Sequence, residues 1–150
     1  MAYQFIQLTD NTVGAVATDA LLPLGVVTRR YGNGSCCANT FVVSTSGSDT
    51  ITINESGYYK LSYTGSLSPE AAGEITLTLT ANGISVVSVS DTVAAADDVT
   101  NISLEYIIRV FPNCSAINNI PVIVQIVNEG VALTGGTSNL IVEKIRRGEL

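Results

Sequence analysis

Apolar and polar residues alternate with a period of two along most of the chain, and turn-forming residues interrupt the alternation at short intervals. The clearest case lies within 74–81, where isoleucine or leucine at 75, 77 and 79 alternates with threonine at 76, 78 and 80 before the hairpin turn Asn82-Gly83. Successive side chains of a strand point to opposite faces, so this pattern predicts strands with one buried face. No stretch sustains the 3.6-residue period of an amphipathic helix, and the pattern therefore predicts an all-β protein.

Short strands are predicted from one end of the chain to the other, with Gly, Asn, Ser and Asp in the connections. Segment 93–98 contains helix-favouring residues, but it is short and uncapped, so we expect a loop there. Many short strands at near-regular spacing are typical of a β-sandwich or jelly roll, and we expect residues 1–150 to form one such domain. The predicted strands are Tyr3–Leu8, Val13–Thr18, Gly25–Tyr31, Thr40–Ser44, Thr50–Ile53, Gly57–Ser66, Glu74–Ala81, Ile84–Ser90, Asn101–Phe111, Pro121–Asn128 and Asn139–Ile145.

The composition suggests that part of the surface is covered in the working protein. Charged residues make up 13% of the 150 residues, against about 25% in average soluble domains. Hydrophobic residues make up 46%. Such a chain either packs very tightly or buries part of its surface against copies of itself.

The charge and residue content exclude several classes of function. Lys and Arg total 7 against 13 Asp and Glu, for a net charge of −6, which is unsuited to binding nucleic acid. The chain has no His, which removes His-based catalytic triads and His metal ligands. No basic segment followed by an apolar run is present near Met1, and no apolar run is long enough to cross a bilayer. We therefore expect a protein folded in the cytosol, with no membrane insertion.

The three cysteines are an odd number, and two of them are adjacent. Cys36, Cys37 and Cys114 therefore form no disulfide framework, and they lack the spacing of a zinc site. We expect reduced thiols, with a bridge from Cys114 to Cys36 or Cys37 as the alternative.

The densest group of carboxylates is formed by Asp91, Asp97 and Asp98. Oxygen ligands of this kind suit a hard cation such as Ca²⁺, but the spacing of a calcium loop is missing, which favours a solvated loop. No sequence feature selects Glu55 and Glu105 as a catalytic pair, and no nucleophile motif is present. We expect no catalytic residues, no metal, no cofactor and no enzymatic activity.

The most regular strand follows Gly57. Period-two geometry places Tyr59, Leu61 and Tyr63 on one face, and Tyr58, Lys60 and Ser62 on the other.

Segment 57–63 resembles the Gly-x-Tyr-x-(aromatic or aliphatic)-x-Tyr strand of the complement globular-head and tumour-necrosis-factor-like (TNF-like) jelly rolls. Further segments resemble the family's later strands in the same order. One departure is that Pro112-Asn113-Cys114 replaces the Gly-Asp turn between two long strands. The resemblance covers residues 40–146, with residues 1–39 as N-terminal strands and loops, and its other elements are 77–83, 103–110, 122–127 and 137–142.

The resemblance implies a compact homotrimer in which one sheet of each jelly roll packs about a threefold axis. It places Tyr59, Leu61 and Tyr63 in the core. Leu77 and Leu79, on a later strand, are placed there as well. The opposite face, with Tyr58, Lys60 and Ser62, is then turned to the axis or to a neighbouring subunit. A buried Lys60 needs a carboxylate, for which Glu105 and Glu143 are the candidates. The alternative is a Lys60 that reaches solvent along an open axis.

Variants of this pattern occur in small head-fibre and capsid-decorating proteins of phages, and in collagen-tipped surface proteins of Gram-positive bacteria. The chain has no Gly-x-y stalk and no recognisable export signal. We therefore expect a structural or interaction protein on a virion surface, made in the host cytoplasm. Its implied partners are its own copies, a major capsid protein and host surface glycans. The alternative is an adhesion module on a bacterial cell or spore surface.

Overall fold

A computed structural model of the protein describes residues 4–31, 40–44, 48–111 and 121–145. Within these ranges the chain forms ten strands and no helix. No segment of the described ranges is therefore a helix that could cross a bilayer. The strands are β1 (Phe5–Val13), β2 (Val26–Tyr31), β3 (Phe41–Val43), β4 (Ile51–Ile53), β5 (Gly57–Pro69), β6 (Gly73–Ala81), β7 (Ile84–Val93), β8 (Thr100–Val110), β9 (Val122–Asn128) and β10 (Leu133–Ile145).

The strands form two five-stranded antiparallel sheets packed face to face. Sheet 1 has the order β2-β1-β10-β5-β8, and sheet 2 has the order β3-β4-β9-β6-β7. The first strand therefore pairs with the last, and the chain crosses between the sheets several times. The all-β architecture predicted from the alternation is confirmed.

The core lies between the two sheets. Tyr59, Leu61 and Tyr63 of β5 are buried there, and Leu77 and Leu79 of β6 are buried in the facing sheet. Because each apolar side chain of this size contributes about 1.5–3 kcal/mol on burial, the inward-facing rows supply the main driving force of the sandwich.

Two differences from the predicted strands lie near the N-terminus. Asp10 and Asn11, which separate the predicted strands Tyr3–Leu8 and Val13–Thr18, lie inside β1, where the pairing with β10 shifts between Asp10 and Val13. The predicted strand Val13–Thr18 is wrong, because residues 14–18 contribute only an isolated bridge between Val16 and Leu133 to the β-structure. Val13 and Val16 are both buried, and a spacing of three does not occur on one face of a strand.

The last strand begins at Leu133, well before the predicted start at Asn139. Gly135 and Gly136, which precede the predicted strand, lie inside β10. Gly136 has a φ of +146°, and a Cβ at this position would lie 2.1 Å from the backbone oxygen of Ser66. The glycine thus allows β10 to approach β5 closely. Glycine in a sequence can therefore mark a close contact between strands as well as a turn.

Some predicted features lie outside the described residues. These are the connection that follows the predicted strand Gly25–Tyr31, the three cysteines with the alternative disulfide, and Pro112-Asn113-Cys114.

Candidate functional site

The outward face of sheet 1, turned away from the sandwich core, carries every residue that the resemblance implied for a subunit interface. Tyr58, Lys60 and Ser62 alternate on β5 with the buried residues of the same strand. Glu105 lies on β8 and Glu143 on β10, the two strands that flank β5. The strand register thus brings all five residues onto one continuous surface.

Lys60 lies between two carboxylates on this face. Its Nζ is 3.4 Å from Oε1 of Glu105, with 36% of the lysine side chain and 64% of the glutamate side chain exposed. Glu143 is the direct cross-strand partner of Lys60 on β10. Lys60 therefore lies near carboxylates of its own chain, and in the single chain it is neither fully buried nor fully solvated.

Aromatic side chains occupy one end of the face. The guanidinium of Arg109 lies over two rings, 4.4 Å from the centroid of Phe111 and 5.4 Å from that of Tyr58. Phe5 and Tyr31, on β1 and β2 in the same row as Glu143 and Lys60, stack with their centroids 6.2 Å apart. Arginine held between aromatic rings is a frequent feature of protein interfaces, because both groups give contact area with little loss of entropy.

The other end of the face is polar and uncharged. An open groove of about 370 Å³ crosses β1, β10, β5 and β8 there. The floor and walls carry hydroxyl and amide groups, and Ser66 Oγ donates a hydrogen bond to Oδ1 of Asn101 across it. The face is therefore graded from an aromatic end through a charged middle to a hydroxyl-rich end. The outward-facing polar residues that line the groove are Thr9, Asn11, Thr64, Ser66, Asn101, Ser103, Thr137 and Asn139.

The most enclosed ion pair was not predicted from the sequence. Lys144 Nζ donates a 2.8 Å hydrogen bond to Oε1 of Glu55, and the lysine side chain is 8% exposed. The hydroxyl of Thr40 donates to the other carboxylate oxygen of Glu55 at 3.0 Å. The alternation itself contained a signal, since Lys144 follows buried Leu140 and Val142 at steps of two and so falls on the inward face of β10.

Electrostatics at this pair follow from its contacts. Partial burial by itself raises the pKa of the Glu55 carboxyl, but hydrogen bonds from Lys144, Thr40 and Gln4 and the charge of Lys144 outweigh burial, so the pKa lies below its usual value. Burial, assisted by the Glu55 charge, raises the pKa of Tyr59. The Tyr59 hydroxyl therefore stays protonated and donates a 2.7 Å bond to the backbone oxygen of Glu55.

The structure does not assemble the acidic cluster into a metal site. Thr100 donates to Asp91 and Thr134 donates to Asp97, so both carboxylates are used within loops and strand ends. Asp98 belongs to no metal site either, because among the described residues no three Cys, Asp or Glu side chains lie together as possible metal ligands. Glu55 and Glu105 do not form a pair either, because Glu55 bonds to inward-facing Lys144 and Glu105 lies on the outward face.

Solved structures with the same architecture are similar over nearly the whole chain. Murine APRIL superposes with a TM-score of 0.67 at 11% identity, covering 95% of this chain and 99% of that chain. The globular domain of zebrafish complement 1qA gives 0.61 at 9% identity, covering 96% and 97%. The PRD1 vertex protein P5 gives 0.59 at 14% identity, covering 97% and 99%.

These similarities show that the chain has the TNF-like jelly-roll fold, as its motifs implied. At such identities they concern the fold alone. No family model matches the sequence, and no curated protein matches it significantly.

Proposed function

We propose that this protein is a non-enzymatic structural and interaction module that assembles as a homotrimer through the outward face of sheet 1 and acts on a virion surface. Its own copies are the first partner, and a major capsid protein is the second. Adhesion to host surface glycans would be an added role of the exposed outer surface.

The observation that carries the proposal is the contrast between the two outward faces of the sandwich. Sheet 1 presents aromatic rings, Arg109 and a lysine between two carboxylates. The five strands of sheet 2 contain no Lys or Arg, and their one aromatic residue, Phe41, is buried in the core. Their outward face carries exposed Val42 and Ile123 beside paired hydroxyl groups, in which Thr76 bonds Ser90 at 2.9 Å and buried Thr78 bonds Ser88 at 2.6 Å. Hydroxyl groups paired in this way already have hydrogen-bond partners within the chain. Aromatic residues and arginine, by contrast, are enriched in the cores of interfaces. Sheet 1 is therefore the face suited to contact with other subunits.

One further finding supports the virion role, and another supports a non-enzymatic surface. The PRD1 vertex protein P5 shares the fold over almost the full length of both chains. The open groove at the hydroxyl-rich end of the outward face of sheet 1 is lined by neutral side chains, which suits a contact surface rather than acid–base catalysis.

The trimer is tested by light scattering on the protein and two matched variants. Ile107→Glu places a charge on the outward face of sheet 1, at an isoleucine that is 49% exposed. Ile123→Glu does the same on the outward face of sheet 2, at an isoleucine that is 40% exposed. We expect the mass of a trimer for the unmodified chain and for Ile123→Glu, and a smaller species for Ile107→Glu. Equal effects of the two variants would contradict the assignment of the face.

The virion role is tested by the protein content of purified particles from the phage or prophage whose genome carries this reading frame. We expect the chain in the particles, and capsid or tail genes beside its own gene. Its absence from particles, with cell-wall or spore-coat genes as neighbours, would instead favour a bacterial surface role.

A further inference from the structure

Two neighbouring rows of outward-facing side chains cross sheet 1 from one edge to the other, and their ends are complementary. The strand register defines each row, because residues directly opposite each other on paired strands share a face. The Arg29 row is Arg29, Gln7, Ile141, Ser62 and Glu105, and the Tyr31 row is Tyr31, Phe5, Glu143, Lys60 and Ile107.

The row ends lie on the two edge strands of sheet 1. On the β2 edge these ends are a cation and an aromatic ring, Arg29 and Tyr31. On the β8 edge they are an anion and an aliphatic side chain, Glu105 and Ile107. Tyr31 is 59% exposed and Ile107 is 49% exposed, which is unusual for apolar side chains of this size in a strand.

A ring of subunits brings these two edges together. When three copies turn the same sheet face toward a common axis, the β2 edge of one copy adjoins the β8 edge of the next. Contacts in such a ring are heterologous, so the two contacting patches need to complement each other rather than themselves. Rotation about an axis roughly parallel to the strands leaves the position of each residue along that axis unchanged. The two ends of the same row therefore meet at the junction between neighbouring copies.

We propose that the β2 edge of each subunit docks against the β8 edge of its neighbour, with Arg29 pairing with the neighbour's Glu105 and Tyr31 packing against the neighbour's Ile107. This inference rests on the proposed homotrimer and names the contacts that close it. The partner is a second copy of this chain.

The charge pairing within one subunit is compatible with this contact. Within the described ranges, Arg29 has no carboxylate at ion-pair distance. Glu105 contacts Lys60 through one oxygen at 3.4 Å and keeps most of its side chain exposed. A second cation from a neighbouring copy would therefore complete a Lys60–Glu105–Arg29 cluster at the junction.

The test is a charge-swap cycle on the full chain, with the trimer dissociation constant measured by sedimentation equilibrium. Arg29→Glu and Glu105→Arg each place like charges at the junction, and we expect each to raise the dissociation constant by about tenfold or more. The double variant exchanges the two charges, and we expect it to return to within a few-fold of the unmodified protein. Because the contact is partly exposed, added salt should reduce the effect of each single variant.

Arg30→Glu is the matched control, since Arg30 pairs with inward-facing Ile6 and so lies off both rows. Thermal melting of each variant separates a weakened junction from a misfolded subunit. If the unmodified protein is a trimer but Arg29→Glu behaves like Arg30→Glu, or if the double variant restores nothing, these contacts are wrong and the trimer stands. A monomeric unmodified protein would overturn the inference together with the proposed assembly.

Discussion

Lys144, on the last strand, and Glu55, in the turn that precedes β5, form the most enclosed ion pair of the described residues, with 2.8 Å between Nζ and Oε1. The lysine side chain is 8% exposed and the glutamate side chain 39%. Thr40 binds the second carboxylate oxygen, so the pair connects the segment before β3, the turn before β5 and the strand β10. Gly57 lies directly beside it, and a Cβ there would be 2.8 Å from Cε of Lys144.

Replacing Glu55 with Gln should destabilise the fold. The substitution removes the negative charge from a lysine that has little access to water, and loss of a hydrogen bond between charged groups costs about 1.5–3 kcal/mol. The measurement is urea unfolding at pH 7 and one fixed protein concentration. Glu70→Gln, at an exposed position, is the control and should change the free energy of unfolding by less than about 0.5 kcal/mol. Equal effects of the two substitutions would show that the pair contributes nothing specific.

The same pair should make stability depend on pH in a defined direction. The pKa of Glu55 in the folded protein lies below its usual 4.5, so the carboxylate stabilises the fold fully above about that pH. This stabilisation is lost as the pH falls through the lowered pKa, because below it the carboxyl is protonated in both the folded and the unfolded chain. We expect the difference in Tm between the unmodified protein and Glu55→Gln to shrink between pH 5 and strongly acidic pH. A difference that grows on acidification would contradict the assigned pKa direction.

Truncating Leu61 to Ala should cost about 2–5 kcal/mol, because the substitution removes buried apolar surface and leaves a cavity in the core. The adjacent Ser62 faces outward, and Ser62→Ala serves as the control with a small expected effect. Chemical denaturation of both variants checks the prediction. A larger loss for Ser62→Ala than for Leu61→Ala would mean that the register of β5 is shifted by one residue.

Gly136→Ala should destabilise by about 1–3 kcal/mol or more, since the backbone has a positive φ and the new methyl group would meet the Ser66 carbonyl. Gly14→Ala is the control, because a Cβ at Gly14 meets no atom within 4 Å. Differential scanning calorimetry of the two variants compares them directly. A Gly136→Ala protein as stable as Gly14→Ala would show that β10 does not approach β5 so closely.

The sequence predicted the fold best where one side of a strand is buried and the other is not. Along β5 and β6 the alternation assigns Tyr59, Leu61, Leu77 and Leu79 to the inward face, which is where they lie. Alternation failed where burial did not follow a period of two, as at Val13 and Val16. It also failed at Gly136, because glycine predicts a turn from sequence alone, whereas here it allows contact between strands.

The candidate site was predictable only in part. Alternation places Lys60 and Tyr58 on one face of β5, but which strands flank β5, and therefore which carboxylates lie beside Lys60, depends on pairings between segments distant in the chain. The burial of Lys144 follows from its place on an inward face, yet the position of Glu55 depends on a turn whose geometry no local pattern specifies. The complementary edges of sheet 1 emerge only once β2 and β8 are known to be edge strands.

The number of chains in the native particle tests the central claim most directly, and native mass spectrometry at low micromolar concentration counts it. If the outward face of sheet 1 is a subunit interface in a closed ring, the dominant species will have three times the 15.7 kDa mass of the chain. A dominant species of one chain, or of two, would contradict the account.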